Sequence, residues 1–203
     1  MSGVRPSKII GVGRNYRAHA EELGNPMPAQ PILFFKPPTS LIGDGDAIVL
    51  PSVSKQVEFE AEIGIVAGAR LRNLTVEEAE AAPLGFVCVN DVTARDLQKV
   101  DGQWGRAKGF DTFCPVGSRV VHGADWRTLE IIGRLNGVER QRARATDMAF
   151  SIPMLVSFIS RVMTIEAGDL IATGTPAGTA PMNPGDVVEV EIPGVGVLKN
   201  PVR

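Results

Sequence analysis

Alternation is the dominant pattern along the chain. The stretch VEFEAEIGIV, residues 57–66, sets Glu58, Glu60 and Glu62 at every second position, with Val57, Phe59, Ala61, Ile63 and Ile65 between them. A period of two belongs to a strand with one polar and one apolar face. VVEVEI at 187–192 repeats the period and predicts a half-exposed strand, introduced by the turn Asn183-Pro184-Gly185-Asp186. Further short segments rich in Val and Ile, punctuated by Gly and Pro, extend the reading. Strands are expected at 7–12, 31–35, 47–50, 57–67, 84–90, 129–135, 138–142, 169–173 and 186–192, and Asn136-Gly137 marks a two-residue hairpin turn. Three segments carry helical signals instead. Residues 14–23 stop at Gly24, residues 76–82 follow a Thr75/Glu78 capping box, and residues 152–163 follow Ser151 with Pro153 in the first turn. IPMLVSFISRVM is apolar nearly all round and is expected to be buried against the sheet. The fold class is therefore mainly β with a few helices (α+β).

Composition narrows the function classes. A chain of 203 residues, 44% hydrophobic, can bury one real core. It is read as one domain, 1–203, with a flexible N-terminus over 1–6. A net charge of -2 supplies no field for a phosphate backbone, so nucleic acid is not an expected partner. No apolar run reaches the length of a membrane span, and MSGVRPSKIIGVG has no extended apolar region or cleavage site, which points to a cytoplasmic protein. Cys88 and Cys114 sit alone in apolar surroundings and read as buried reduced thiols. With only His19 and His122, a histidine-built metal site is disfavoured.

Oxygen ligands are another matter. Glu60 and Glu62 lie deeper in their apolar run than Glu58, and Asp91 closes the continuous apolar segment LGFVCVN. Carboxylates from two strands suit Mg²⁺ or Mn²⁺. The alternatives are a solvated face of an edge strand for the glutamates and a turn or N-cap role for Asp91. GVG at 11–13 opens like a dinucleotide fingerprint, but the third glycine position is Tyr16, and that reading fails. His19 and Glu22, three apart, share a helical face. They form either a base with a fixed tautomer or a surface ion pair. Arg14, Asn15 and Tyr16 offer donors beside them. Lys108, between Ala107 and Gly109, is either an oxyanion stabiliser or an ordinary exposed lysine. ATGTPAG, 172–178, is a compact turn whose N–H groups and Thr175 hydroxyl can form an anion nest or serve the turn alone.

In this order, GVGRNYRAHAEELG, PILFFKP, the Glu60–Glu62 pair, NDVTARDLQ, AKGFDTFCP, FSIPMLVSFIS and LIATGTPAG resemble the fumarylacetoacetate hydrolase family, most closely its short, single-domain acylpyruvase or fumarylpyruvate hydrolase-like branch. The resemblance implies a roll of mixed β-sheets, usually a homodimer, acting on a small keto acid. It also implies Mg²⁺ or Mn²⁺ on Glu60, Glu62 and Asp91, with Glu58 outside. His19 and Glu22 are then a water-activating dyad, Lys108 the active-site lysine, and Thr175 the contact to the substrate carboxylate. Arg14, Tyr16, Lys36, Arg95 and Gln98 are implied as groups around the substrate. The expected reaction is hydrolysis of the C3–C4 bond of a 2,4-diketo acid to pyruvate and a carboxylic acid. Oxaloacetate decarboxylation, isomerisation or hydration of a 2-hydroxy-dienoate, and a non-catalytic metal-binding relative are the alternatives.

Overall fold

The computed structural model describes residues 4–203. Along the chain run β1 (Ile9–Gly13), α1 (Arg17–Glu22), β2 (Ile32–Lys36), β3 (Leu41–Ile42), β4 (Val57–Phe59), β5 (Ala61–Ala67) and α2 (Val76–Glu80). There follow β6 (Leu84–Asn90), β7 (Thr93–Ala94), α3 (Arg95–Asp101), α4 (Gly105–Lys108), β8 (Cys114–Pro115) and β9 (Val121–His122). The last part holds β10 (Glu130–Leu135), β11 (Val138–Arg144), α5 (Ile152–Val162), β12 (Leu170–Ala172), β13 (Ala180–Pro181), β14 (Val187–Ile192) and β15 (Gly196–Pro201). No helix among the described residues is long and apolar enough to cross a membrane.

A six-stranded sheet in the order β2-β1-β12-β5-β6-β9 forms the spine, antiparallel except for the β1/β12 pair. Its central strands are apolar on both faces because both faces are covered. Ile63, Ile65, Phe86 and Cys88 join a core with Ile131, Val188, Val190 and Leu198 of the antiparallel sheet β11-β10-β14-β15, while Val66, Val87 and Val89 pack with Ile9, Leu170 and Cys114 on the other side. Both cysteines are accordingly buried and free. Helix α5 contributes Ile152, Leu155, Val156 and Ile159 to the first core and leaves Met154 and Val162 outside.

Local rules account for most boundaries. The strand over 84–90 and the complete Thr75/Glu78 capping box are observed as expected. Asn136 and Gly137 take φ of 54° and 75°, the paired positive values of a type I′ hairpin turn. Gly24, at φ 66°, ends α1 as anticipated. The strand expected over 57–67 is instead two strands in two sheets, parted at Glu60. There the backbone leaves its ladder, the N–H going to Oδ1 of Asn90 (3.0 Å) and the carbonyl to the N–H of Asp91 (2.9 Å). Residues 47–50 form only a bridge, Ile48 with Val202. Strand β15 and helices α3 and α4 carry too little apolar periodicity to be anticipated.

The expectation of a loose N-terminus falls partly on residues 1–3, which lie outside the described residues. Of the rest, Val4 is buried with Ile9 and Leu170, and Ser7 and Lys8, just past that segment, are tied to Asp169. Asp169 Oδ1 accepts from the Ser7 hydroxyl (2.6 Å) and from the N–H groups of Ser7 (3.0 Å) and Lys8 (3.1 Å), and its Oδ2 meets the Lys8 ammonium and the Glu166 N–H (2.8 Å). Burial opposes its charge, but Lys8 and these donors outweigh it and hold its pKa below the usual Asp value. A depressed carboxylate stabilises the fold above the ordinary Asp pKa, and that contribution fades as pH falls through the lower native value. Asp169→Asn is expected to cost about 1–3 kcal/mol at pH 7. It should also flatten the acid limb of stability below roughly pH 4, as read by urea unfolding across pH; an unchanged acid limb would contradict this account.

Candidate metal centre and active site

Glu60, Glu62 and Asp91 converge where β4 passes into β5 and where β6 ends, each offering an oxygen within 4.8 Å of the others. All are buried, and Glu58 is buried too, not wet as its position near the strand start suggested. Charges that deep require partners. Arg95, at the start of α3, donates to Glu58 Oε2 (2.9 Å), Glu60 Oε1 (2.6 Å) and Gln98 Oε1 (2.7 Å). Lys108, at the end of α4, donates to Glu60 Oε2 (2.7 Å) and to Asp91 Oδ2. Lys36 donates to Asp91 Oδ1 (2.6 Å) and the Val92 carbonyl (3.3 Å).

Among the described residues, four carboxylates of this cluster thus face three cations, and Glu62 is the one left with only a backbone donor, the Gly174 N–H at 2.9 Å. Burial, then the charges of Asp91 and Glu60, push its pKa well above the usual carboxylate range. For Glu60 burial acts the same way, but Lys108 and Arg95 overcome it and hold the pKa low. Lys108 is buried as well, yet Asp91 and Glu60 keep its pKa raised, so it stays an ammonium. Three hard oxygen donors, one of them an acid whose ionisation no neighbouring cation compensates, fit Mg²⁺ or Mn²⁺ in place of the Glu62 proton, with Glu60, Glu62 and Asp91 as the candidate ligands.

A cavity of about 330 Å³ opens beside this cluster, reached by Glu60, Glu62, Arg95, Gln98, Lys108, Thr175, Arg14 and His19. His19 Nδ1 lies 3.1 Å from Glu22 Oε2 on α1, which leaves Nε2 as the ring nitrogen without a hydrogen-bond partner among the described residues. Glu22 is itself held by the Gly178 N–H, 3.0 Å from Oε1 and 3.2 Å from Oε2. The small-residue turn therefore holds the protein's own carboxylates: Gly174 takes Glu62 and Gly178 takes Glu22. Both glycines have φ of 99°, and a Cβ at Gly178 would lie 2.0 Å from the Arg140 carbonyl oxygen. The Thr175 hydroxyl is likewise engaged by the scaffold, donating to the Ala61 carbonyl (2.9 Å) and accepting from Gln141 (2.7 Å).

Two of the anticipated substrate contacts do not reach the cavity. Tyr16 caps α1 from within the core, its hydroxyl buried without a hydrogen-bond partner among the described residues, and burial raises its pKa. Lys36 sits behind Asp91 and neutralises it. Asn15, expected as a donor beside the dyad, serves the scaffold instead, and the aromatic contributors Phe34 and Trp104 carried no local signal. Asn15 pins the turn before α1 through Phe150 (N–H 2.8 Å, carbonyl 3.1 Å) and the Thr173 carbonyl (2.8 Å). Phe34 and Trp104, edge to face with centroids 5.4 Å apart, wall the cavity. They explain the GVG: a Cβ at Gly11 would lie 2.1 Å from the Phe34 ring, and one at Gly13 2.4 Å from that of Trp104.

The model of the fumarylacetoacetate (FAA) hydrolase C-terminal family matches residues 8–203. The chain belongs to the fumarylacetoacetate hydrolase family. Within it, a solved structure titled 5-carboxymethyl-2-hydroxymuconate delta-isomerase, from Mycobacterium smegmatis, superposes with a TM-score of 0.91 at 44% identity, over 98% of this chain and 79% of that one. Oxaloacetate tautomerase YisK of Bacillus subtilis is 40% identical over 98% of this chain and 70% of its own length. The mitochondrial oxaloacetate decarboxylase of Dictyostelium discoideum is 37% identical over 93% of this chain and 89% of its own. The mainly β architecture is thus that of fumarylacetoacetate hydrolase relatives.

If the family's metal sits on the three carboxylates, Mn²⁺ at a hundred times its Kd should stabilise the protein by about 2.7 kcal/mol. Glu62→Gln and Asp91→Asn are expected to abolish most of that gain. Glu58→Gln, whose partner is Arg95, should keep it even though the variant itself is less stable. Melting curves with and without Mn²⁺ decide the matter, and equal losses in all three variants would refute the assignment.

Proposed function

We propose that the protein is a Mg²⁺- or Mn²⁺-dependent enzyme that relocates a proton on a short 2-oxo dicarboxylic acid, with keto–enol interconversion of oxaloacetate as the leading case. The observation that carries this reading is the buried His19, its Nδ1 secured by Glu22, lining the cavity that Glu60, Glu62 and Lys108 also line. The names of the relatives support it, since tautomerase and delta-isomerase activities share movement of a proton along a conjugated acid. When bound, the metal would supply Lewis acidity toward the carboxylate and 2-oxygen of the substrate.

The residues then divide the work. His19 Nε2 would take a proton from C3 of the keto form and deliver it to the 2-oxygen, and in ketonisation would carry the enol O–H proton to C3, while the Glu22 carboxylate steadies the imidazolium. Lys108, an ammonium held beside Glu60 and Asp91, would donate to the oxygen on which negative charge develops. Arg14 lines the cavity and has no ion pair among the described residues, which frees its guanidinium for the distal carboxylate. Phe34 and Trp104 limit water on the far wall.

A second reading uses the same dyad differently: His19 would deprotonate a water that attacks C4 of an acylpyruvate or fumarylpyruvate, with cleavage of the C3–C4 bond. Loss of the distal carboxylate of oxaloacetate needs no base. A parallel assay with Mn²⁺ separates the three. The purified protein is offered enol-oxaloacetate, acetylpyruvate and fumarylpyruvate, and the assay is repeated with His19→Ala. Faster ketonisation of oxaloacetate is expected, falling by about 10²–10⁴-fold in the variant. Hydrolysis of an acylpyruvate without ketonisation would replace this reading with the second, and decarboxylation untouched by the substitution would remove the dyad from the chemistry.

A further inference from the structure

Strand β11 reads VERQRAR, and Gln141 is its one fully buried residue. The strand belongs to the four-stranded sheet, yet the Gln141 amide crosses to the backbone between Glu60 and Glu62. Its Oε1 accepts the N–H of Ala61 at 2.9 Å, and its Nε2 donates to Thr175 Oγ1 at 2.7 Å and to the Pro176 carbonyl at 2.6 Å. Thr175 Oγ1 in turn donates to the Ala61 carbonyl at 2.9 Å. A closed ring of hydrogen bonds therefore grips both polar groups of Ala61, the residue between Glu60 and Glu62.

The neighbouring backbone makes space for this. Gly133 of β10 lies opposite Gln141 at a register shift between Gly133 and Arg134, and a Cβ there would sit 3.0 Å from Gln141 Oε1. A Cβ at Gly178 would lie 3.4 Å from Gln141 Cγ. The loop that Gln141 holds through Thr175 and Pro176 is the one whose Gly174 N–H reaches Glu62 and whose Gly178 N–H reaches Glu22. One amide thus touches the frame of two metal-ligand candidates and of the dyad carboxylate, without touching the cavity.

We propose that Gln141 is a positioning residue: its amide fixes β5 against the 173–178 loop, and so sets the carboxylate cluster and Glu22 in one frame. The proposal rests on the metal reading of Glu60, Glu62 and Asp91. Groups that orient metal ligands from behind usually matter to affinity by roughly 10–100-fold, and a loss of that size is expected for Gln141→Leu. Thr175→Val, which opens the ring from its other side, should weaken binding similarly, and Thr175→Ser, which keeps the hydroxyl, should restore it. Because the ring acts as a unit, the double variant Gln141→Leu/Thr175→Val should lose little more than the worse single variant.

The test is Mn²⁺ titration calorimetry on the full chain, well below each melting temperature, with circular dichroism to establish that each variant is folded. A folded Gln141→Leu that binds Mn²⁺ within twofold of the wild type, even with a lowered Tm, overturns the proposal and leaves Gln141 a merely structural residue. Should Gln141→Leu not fold, the two Thr175 variants carry the test: equal Mn²⁺ affinity in valine and serine forms overturns it as well. Wild-type protein that takes up no Mn²⁺ overturns the metal reading and this proposal together, whereas normal wild-type uptake with no effect of the substitutions sinks the role of Gln141 alone.

Discussion

The mismatch between the four carboxylates and the three cations buried together around Glu60 governs this molecule. Inside a low-dielectric interior each unpaired charge is expensive, and a cluster of like charges more so. Arg95, Lys36 and Lys108 come from three separate segments of the chain to meet Glu58, Glu60 and Asp91, and each carries hydrogen bonds that satisfy its nitrogen. Glu62 is left with a backbone donor and a raised pKa. The three cations balance Glu58, Glu60 and Asp91, so Glu62 keeps a proton until something replaces it, and a divalent ion taking that proton's place would meet a carboxylate that no described side chain answers.

Much of the surrounding fold can be read as the means of holding that arrangement. The strand carrying the glutamates changes sheets at Glu60, which turns alternate side chains into a convergent set. The glycine-rich turn places N–H groups against Glu62 and Glu22, and only residues free to take φ near 99° can do so. The site is thus built largely from backbone geometry, with comparatively few side chains left over to meet a substrate.

Legibility in the sequence followed the range of the interaction. Continuous Val and Ile runs, the Asn136-Gly137 turn and the Thr75/Glu78 box are local, and their elements were visible from the residues alone. The i,i+3 spacing of His19 and Glu22 likewise announced their proximity. Lys36 and Asp91 are 55 positions apart, and no pattern near either indicates that they pair. The break at Glu60 depends on the Asn90 side chain, 30 residues on, and Tyr16 looked like a surface donor because nothing local says that its ring is buried. Gln141 was hidden in a strand whose other residues advertise a solvated edge.

The glycines of β1 have a consequence for how such a cavity can change. Because Gly11 and Gly13 contribute no side chains, the wall is formed by rings that hang from β2 and from the segment before α4. The carboxylates and the dyad lie on other segments altogether. Shape and chemistry are therefore carried largely by different parts of the chain: exchanging Trp104 for a smaller or more polar group would remodel the chamber and keep the charge pairs, whereas Phe34, whose ring centroid lies 4.9 Å from the Lys108 ammonium, belongs to both. A scaffold divided this way can drift toward new acids by small steps, each of which preserves the reactive centre.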